Sequence, residues 1–240
     1  MPTRTPRSSR RTEALSRGRI IAAAIDLLDT AGETGLTFRA LTERLATGPG
    51  AIYWHVANKG ELLAAATDAV VTAALSREPA EPAATPHERI RAVALGLFDA
   101  IDEHAWLATQ LAIQMSRDPA GTLAPRLFEG LGRQISALDV PEAAWFTATS
   151  ALMNYILGAA GQNATNGRNA THPDRPDFLD TVATTWENLD PEEYPFTRAV
   201  ARQLRGHDDR EQFLDGLDLV VSGITTVHSP DRSRMLGFRQ

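Results

Sequence analysis

Three consecutive side chains, Tyr53, Trp54 and His55, are the part of this 240-residue sequence whose chemistry is easiest to interpret. Each step along a helix rotates the side chain by about 100°, so a short helix cannot bury three successive residues. With Ile52 and Val56 on the inward face, the three large side chains occupy the outer arc. Hydroxyl and ring-nitrogen groups there could contact phosphate oxygens, although packing between helices explains the two aromatic residues equally well.

Two short helices joined by a tight turn must position these side chains. Thr37 is a suitable N-cap for the first helix, and Leu36 and Leu41 have the spacing of a hydrophobic staple around it. The residues that follow, 46–50, include Gly48, Pro49 and Gly50 and break this helix. Pro49 suits the first turn of the next helix, which is predicted to end near Val56.

A longer helix is predicted on each side of this pair. The first spans Arg19–Ala31 and stops at Gly32. Its apolar residues recur at helical spacing: Ile21, Ala24, Ile25 and Leu28. Asn58, with Glu61 three residues later, resembles a capping box and opens a fourth helix that runs to about Leu75.

The charge of the chain, −6 in total, is unevenly distributed. Residues 1–60 hold nine basic and five acidic side chains, which leaves fifteen basic and twenty-five acidic side chains for the remainder. A basic N-terminal region on an acidic body indicates contact with a polyanion, although a basic N-terminus can also be a solvated tail. Residues 1–15, rich in Arg, Ser and Thr, are predicted to be a disordered basic arm.

The composition excludes several classes of function. With no cysteine, the chain has no disulfide, thiolate zinc site or cysteine nucleophile, which fits a cytoplasmic protein. It contains no nucleophile elbow, no phosphate-binding glycine loop and no helical His/Glu metal pattern. No apolar run approaches the ~20 residues needed to span a bilayer, and no signal peptide is recognisable. We therefore expect no enzyme activity, no metal or cofactor, and no membrane contact.

The remainder of the chain is predicted to be helical, because its patterned segments have helical period and none alternates like a strand. Three prolines between Pro79 and Pro86 mark a connection after the fourth helix. Helices are predicted near residues 87–104, 106–116, 122–138, 142–164, 192–205 and 209–228. The predicted helix at residues 142–164 is apolar around most of its circumference, which is typical of a central buried helix. Residues 165–190 are predicted to be a long loop that holds no more than one helical turn, around Phe178–Trp186.

The N-terminal helices resemble the helix-turn-helix region of the tetracycline-repressor (TetR) family over roughly residues 17–65. The resemblance is carried by the run LTFRALTERLATGPGAIYWHVANKGELL, in which the aromatic residues and Lys59 are arranged much as in tetracycline repressors. The final helix, from Phe213 to Gly223, is weakly similar. The resemblance implies an all-α chain with a three-helix helix-turn-helix head, residues 16–76. A long fourth helix would join this head to a larger helical effector-binding and dimerisation domain, residues 77–240.

The resemblance also implies a role for individual residues of the head. The recognition helix would be Pro49–Val56, lying in the major groove of double-stranded DNA. Arg39 would contact a base or a phosphate. Four residues would hold the DNA backbone, namely Thr37, Tyr53, His55 and Lys59, and four would face bases or a thymine methyl group, namely Pro49, Gly50, Ala51 and Trp54. Tetracycline repressors carry polar groups at the head of this helix, whereas Pro49, Gly50 and Ala51 here offer no side-chain hydrogen-bond donor. Base discrimination must therefore depend on Arg39, apolar contacts and DNA shape.

The C-terminal domain would hold a cavity for a small-molecule effector. The candidate contacts are apolar side chains and two polar anchors, each of which plain core packing also explains: Phe98, Trp106, Met115, Phe128, Trp145, Met153, Trp186, His104 and Asn154. Tetracycline and magnesium are bound in the family through a histidine and an asparagine in the fourth helix and its sequel. Residues 62–75 contain neither, so we do not expect tetracycline to be the effector.

The final helix predicts a homodimer. Its apolar line comprises Phe213, Leu217, Val220 and Ile224. We expect a two-fold dimer in which segments 142–164 and 209–228 form a four-helix bundle. The function that follows is a repressor released from a palindromic operator by a small apolar or amphipathic effector. Two alternatives remain open: a helical small-molecule binding protein with a vestigial DNA head, and an activator of the same fold.

Overall fold

The computed structural model describes residues 15–77, 85–169 and 175–228, and all regular structure in those ranges is helical. This confirms the prediction of an all-α chain. The chain divides into two compact units between Ala66 and Thr67, inside the fourth helix, whereas the sequence predicts the boundary after that helix. Apart from its last residue, the predicted basic arm lies outside the described residues.

Three helices and the first part of a fourth build the first unit: α1 Arg17–Gly35, α2 Phe38–Leu45, α3 Pro49–Tyr53 and α4 Lys59–Leu75. α1 begins after Ser16, whose hydroxyl accepts a hydrogen bond from the Arg19 N–H at 3.3 Å. Gly32, with φ of 65°, interrupts the helical geometry where the sequence predicts the end of α1, and one further turn follows it. The core of the unit consists of buried aliphatic side chains: Ile20, Leu28, Leu36, Leu41, Ile52, Val56 and Leu62.

The second unit contains the rest of α4 and seven further helices within the described residues. Their bounds are α5 Pro86–Glu103, α6 Leu107–Arg117, α7 Leu123–Ser136, α8 Trp145–Asn169, α9 Arg175–Glu187, α10 Pro195–Val200 and α11 Asp209–Val227. Short 3₁₀ turns precede α8 and follow α10. α8 packs against α5, α6, α7 and α11, so it is the central helix of this unit.

α9 corrects the prediction of a long loop over residues 165–190. α8 continues to Asn169, and α9 forms three full turns where the sequence predicts at most one. Pro176 lies in the first turn of α9, where a missing N–H is tolerated. Ala183 is buried and Trp186 half-buried on the inner face, four and seven residues after the half-buried Leu179.

Arginine side chains hold α9 to the segment that follows it. Arg205 forms ion pairs with Asp180 at 2.6 Å and with Glu187 at 2.7 Å. The hydrogen bond from Arg205 lowers the pKa of the Glu187 carboxyl below its ordinary value. Arg198 donates to the Leu189 carbonyl at 2.6 Å. These contacts position α9 with little buried apolar surface.

Candidate nucleic-acid interface

The turn between α2 and α3 is built from backbone and cap hydrogen bonds. The Thr37 hydroxyl accepts from the Ala40 N–H at 3.1 Å and so begins α2, as the sequence predicts. α2 ends at Leu45, and the next residue, Ala46, adopts the left-handed conformation with φ of 49°. Gly48 precedes α3, and Pro49 occupies its first turn. A helix, a tight turn and a second helix are therefore present where the sequence predicts them.

α3 is shorter than predicted, because it ends at Tyr53 rather than near Val56. The next two residues form a turn in which the His55 N–H donates to the Ile52 carbonyl at 2.9 Å. The Val56 N–H donates to the same carbonyl at 3.1 Å, and Val56 remains buried. Trp54 therefore projects from the turn after α3 rather than from the helix.

Tyr53 and Trp54 are exposed, as predicted for side chains on the outer face. The Tyr53 ring stacks on Phe38, and more than half of the residue is exposed. Trp54 is 89% exposed, the most exposed of the large hydrophobic residues described in the structure. His55 is half-buried. An exposed tryptophan costs free energy in water, so this surface is suited to contact with another molecule.

The start of α3 is a flat surface formed by Pro49, Gly50 and Ala51. Pro49 and Gly50 are exposed, and Ala51 is half-buried. A Cβ atom added at Gly50 would meet nothing within 4 Å, and the backbone there is not in the left-handed region. Neither the space around Gly50 nor its backbone conformation therefore requires glycine at this position. Glycine in a helix costs about 0.5–1 kcal/mol relative to alanine, so the residue destabilises α3 slightly.

The basic side chains of the head are paired within it. Ion pairs or hydrogen bonds join Arg39 to Glu43 at 2.9 Å, Arg44 to Asp26 at 2.9 Å, Arg17 to Glu61 at 3.2 Å and Lys59 Nζ to the Glu33 carbonyl at 2.5 Å. The hydrogen bond to Glu43 raises the pKa of Arg39 above its ordinary value. Exposed pairs of this kind contribute about 0.2–1 kcal/mol, so a phosphate could replace the carboxylate at little cost. The Thr37 hydroxyl accepts its cap bond and can still donate its proton.

The effector residues predicted from the sequence do not all line one cavity. Phe98 packs on Phe213 with ring centroids 4.6 Å apart. Phe128 stacks on Phe146 at 5.4 Å, on a surface where Phe146 is largely exposed. These pairs belong to different helix contacts, α5 with α11 and α7 with α8.

The other predicted effector residues differ in burial. Trp106 is buried, and its ring centroid lies 5.9 Å from that of half-buried His104. Met153 is buried, whereas its neighbour Asn154 is exposed. Of the remaining three residues, Met115 and Trp186 are half-buried. Trp145 is exposed, and its indole N–H donates to the Val140 carbonyl at 2.7 Å.

Two open clefts flank the N-terminal part of α11. One, of about 430 Å³, has Phe98, Tyr155 and Phe213 in its lining, and the other, of about 420 Å³, has Trp186. Both are lined by three polar residues that the sequence analysis did not single out: His207, Gln212 and Asp215. Burial, and then the charge of Asp215, raise the pKa of the Tyr155 hydroxyl above its ordinary value.

The structure corrects two residues of the predicted dimer face. Phe213 is buried and Leu217 is fully buried within the protomer, where they complete the contact of α11 with α5 and α8. Val220 and Ile224 are half-buried. Leu219, which lies in the weakly similar final helix but outside the predicted apolar line, is 75% exposed and is the most exposed large apolar side chain of α11.

Across the described residues, no three His, Cys, Asp or Glu side chains are grouped closely enough to hold a metal ion. In the same part of the chain, no helix has the length and apolar character needed to cross a membrane.

Two family models match the chain, one for each unit. Residues 20–66 match the model of bacterial regulatory proteins of the tetR family. Residues 78–228 match the model of the tetracyclin repressor-like C-terminal domain. Together the two matches extend from α1 to the end of α11.

Individual proteins give the same result. The solved structure of the transcriptional regulator SCO7222, a TetR from Streptomyces coelicolor, is 67% identical with a TM-score of 0.82, over 90% of this chain and 100% of that one. An HTH-type transcriptional regulator of Saccharopolyspora erythraea is 31% identical over 65% of this chain, and the match spans 64% of that regulator, just under two thirds. Tetracycline repressor protein class G of Vibrio anguillarum is 25% identical over 90% of this chain and 96% of that protein.

Proposed function

Because the chain belongs to the TetR family of DNA-binding transcriptional regulators, we propose that it is a repressor that binds a palindromic operator as a homodimer. A small apolar or amphipathic molecule, bound in the second unit, releases it from the DNA. The chain acts in this proposal as a cytoplasmic regulator without enzyme activity, metal or cofactor.

The surface of α3 and the turn after it is the observation that carries this proposal. Trp54 is held almost entirely in solvent, and Gly50 faces open space in a helix. Both features cost the isolated head free energy, and both suit a surface that lies against the edges of base pairs. The flat start of α3 allows the backbone to approach the major groove closely, and Trp54 can contact a thymine methyl group.

Polar residues around this surface are assigned to the DNA backbone. Tyr53 and Thr37 offer hydroxyl donors, and His55 offers a ring nitrogen. Lys59 and Arg39 exchange their partners within the head for DNA. Arg39, whose side chain is 88% exposed, can turn toward a base edge once its contact with Glu43 is broken.

The homodimer is proposed to form through the exposed faces of α8 and α11. Leu219 and Val227 are exposed apolar residues on α11, and Gly158 is exposed on α8. A two-fold dimer would place two heads at half-sites about 34–36 Å apart, which matches one turn of DNA. Palindromic operators require this symmetry.

The effector is proposed to bind among the aromatic and methionine side chains of the second unit. Tetracycline with magnesium is not the proposed effector, because residues 62–75 contain no histidine or asparagine, despite the likeness to a tetracycline repressor. Release from DNA requires only that the effector favour the other arrangement by a few kcal/mol.

A displacement screen tests this function. A fluorescent operator duplex bound by the full chain is exposed to a library of metabolites and antibiotics, with tetracycline and magnesium as a control. We expect at least one apolar or amphipathic compound to release the duplex, and tetracycline to leave it bound. Release by tetracycline at low micromolar concentration would contradict the choice of effector. Operator binding that no compound alters would contradict the sensing role.

A further inference from the structure

An aromatic surface is exposed where α7 meets the start of α8. Phe146, in the first turn of α8, is 73% exposed and stacks on half-buried Phe128 of α7. Trp145, its neighbour in the chain, is also exposed. We call these three side chains the aromatic surface. Contiguous apolar side chains exposed to water mark contact with another molecule or chain segment.

The proposed dimer does not cover the aromatic surface. The exposed residues that recur at helical spacing along α8 are small or polar: Thr147, Ala151, Asn154 and Gly158. Successive side chains of a helix are about 100° apart, so Phe146 lies outside this stripe and points toward α7, where it meets Phe128. The aromatic surface therefore requires a different partner.

The rim of the aromatic surface is acidic. Glu142 is exposed one helical turn before Phe146, and exposed Asp139 comes shortly before it. Glu129 of α7 is exposed too and pairs with Arg133. In the described part of the chain, no ion pair joins Asp139 or Glu142 to another side chain. Three acidic residues and one basic residue give this rim a charge of −2, which suits a basic partner.

α11 leads the chain toward this end of the second unit. Two ion pairs make α11 antiparallel to α5: Arg210 with Asp99, and Asp218 with Arg91. α8 runs parallel to α5, because Phe98 and Tyr155 both stack on Phe213, and later in both helices Asn163 donates to Asp102 at 3.1 Å. α11 and α8 are therefore antiparallel, and the end of α11 lies at the same end of the unit as the start of α8.

Residues 229–240 follow α11 and lie outside the described residues. From the level at which Tyr155 meets α11, Phe146 and the end of α11 are each about 15 Å away along their helices. Twelve extended residues span up to about 40 Å, so the segment is long enough to reach the aromatic surface. Its sequence, SPDRSRMLGFRQ, has three arginines, one aspartate and the apolar residues Met235, Leu236 and Phe238. With a charge of +2, the segment complements an aromatic surface that has an acidic rim.

We propose that residues 229–240 dock on the aromatic surface of their own chain. Phe238 and its apolar neighbours would cover Phe146, and the arginines would lie beside Glu142 and Asp139. The chain's own segment is favoured over a partner from solution because a short connection gives it an effective concentration of the order of millimolar at the surface. This proposal lies within the second unit and depends on neither operator nor effector binding.

Disulfide formation in the full chain tests the docking. The sequence contains no cysteine, so a disulfide between two introduced cysteines is unambiguous. One variant combines Gly237→Cys with Ala143→Cys, an exposed position three residues before Phe146. The matched control combines Gly237→Cys with Ala199→Cys, which is equally exposed and lies three residues after Phe196, itself 76% exposed. Under mild oxidation we expect the first pair to form a disulfide at least about tenfold faster. Equal rates would overturn the proposal.

Two further readouts identify what occupies the surface. A disulfide within one chain leaves a species of 26.0 kDa on a non-reducing gel. A covalent dimer as the main product would mean that the segment docks on a second copy, which would contradict the proposal. Adding Phe238→Asp to the Ala143 variant should lower the rate to that of the control, because a carboxylate does not pack on aromatic rings. An unchanged rate would show that chain connectivity alone brings the two cysteines together.

Discussion

The rings of Phe38 and Tyr53 are stacked, with centroids 4.6 Å apart and planes 12° from parallel. Phe38 opens α2 and Tyr53 closes α3, so the stack fixes the second helix against the first. The Tyr53 ring therefore has a structural role, and in the proposed function its hydroxyl contacts a phosphate.

Substitution at Tyr53 should separate these two roles. We expect Tyr53→Phe to keep the melting temperature and to weaken operator and random duplex alike by several-fold, corresponding to about 1 kcal/mol for one hydrogen bond. Tyr53→Ala should in addition lower stability by about 0.5–1.5 kcal/mol through loss of the stack. Fluorescence anisotropy and thermal unfolding measure the two effects. Full DNA affinity in Tyr53→Phe would remove the phosphate contact from the account.

Gly50→Ala should stabilise the head and yet impair recognition. The added methyl group has open space around it in the structure, so the helix should gain about 0.4–1 kcal/mol. Against DNA the same methyl group would meet base edges, so we expect at least about tenfold weaker operator binding. Gly18→Ala, also helical and also in open space, is the control and should leave the preference for operator unchanged. Equal operator affinity in both variants would show that α3 does not approach the groove closely.

Arg39→Ala should change which sequences are preferred. If Arg39 reads a base, its loss should reduce discrimination at one position by about 1–3 kcal/mol while random duplex binding falls much less. Binding to a set of single-base operator variants measures this. Glu43→Gln, which removes the negative charge that pairs with Arg39, should preserve discrimination. An equal loss for operator and random duplex would reassign Arg39 to a phosphate.

Leu219 and Leu217 form a matched pair for the dimer. Leu219 is 75% exposed and Leu217 is 0% exposed, and both lie on α11. We expect Leu219→Asp to yield a folded species of 26.0 kDa in sedimentation equilibrium, and the unsubstituted chain to sediment at twice that mass. Leu217→Asp should instead unfold the second unit, because a carboxylate would be buried without a partner. A dimeric Leu219→Asp would place the interface elsewhere.

Local signals in the sequence were sufficient for the head. The Thr37 cap, Pro49 in the first turn of α3 and the Asn58 cap each act within a few residues, and each is present in the structure. Two helix ends differ from the prediction. α1 continues for one turn beyond Gly32, and α3 ends early because Ile52 and Val56 keep the inward face through a turn that is not helical. The apolar periodicity of a sequence shows which face of a helix a residue occupies, but it does not show at which residue the helix ends.

The errors in the second unit have two physical causes. The prediction of a loop at α9 is wrong because Pro176 and the neighbouring Asp and Thr residues obscure the apolar spacing of Leu179, Ala183 and Trp186. The prediction of Phe213 at a dimer face is wrong because a sequence shows that an apolar helix face must be covered but not which surface covers it. The effector residues are predicted from residue type alone, and whether they line one cavity depends on contacts between helices that are distant in sequence.

The most direct test is binding of the full chain to a palindrome from the region beside its own gene. Anisotropy is measured for a labelled duplex and for a scrambled duplex of the same length and composition, at about 50 and about 200 mM salt. We predict that the palindrome is bound at least about a thousandfold more tightly at the higher salt, as expected for a specific regulator. Equal affinity for the two duplexes would contradict the account and leave a ligand-binding protein with a vestigial head.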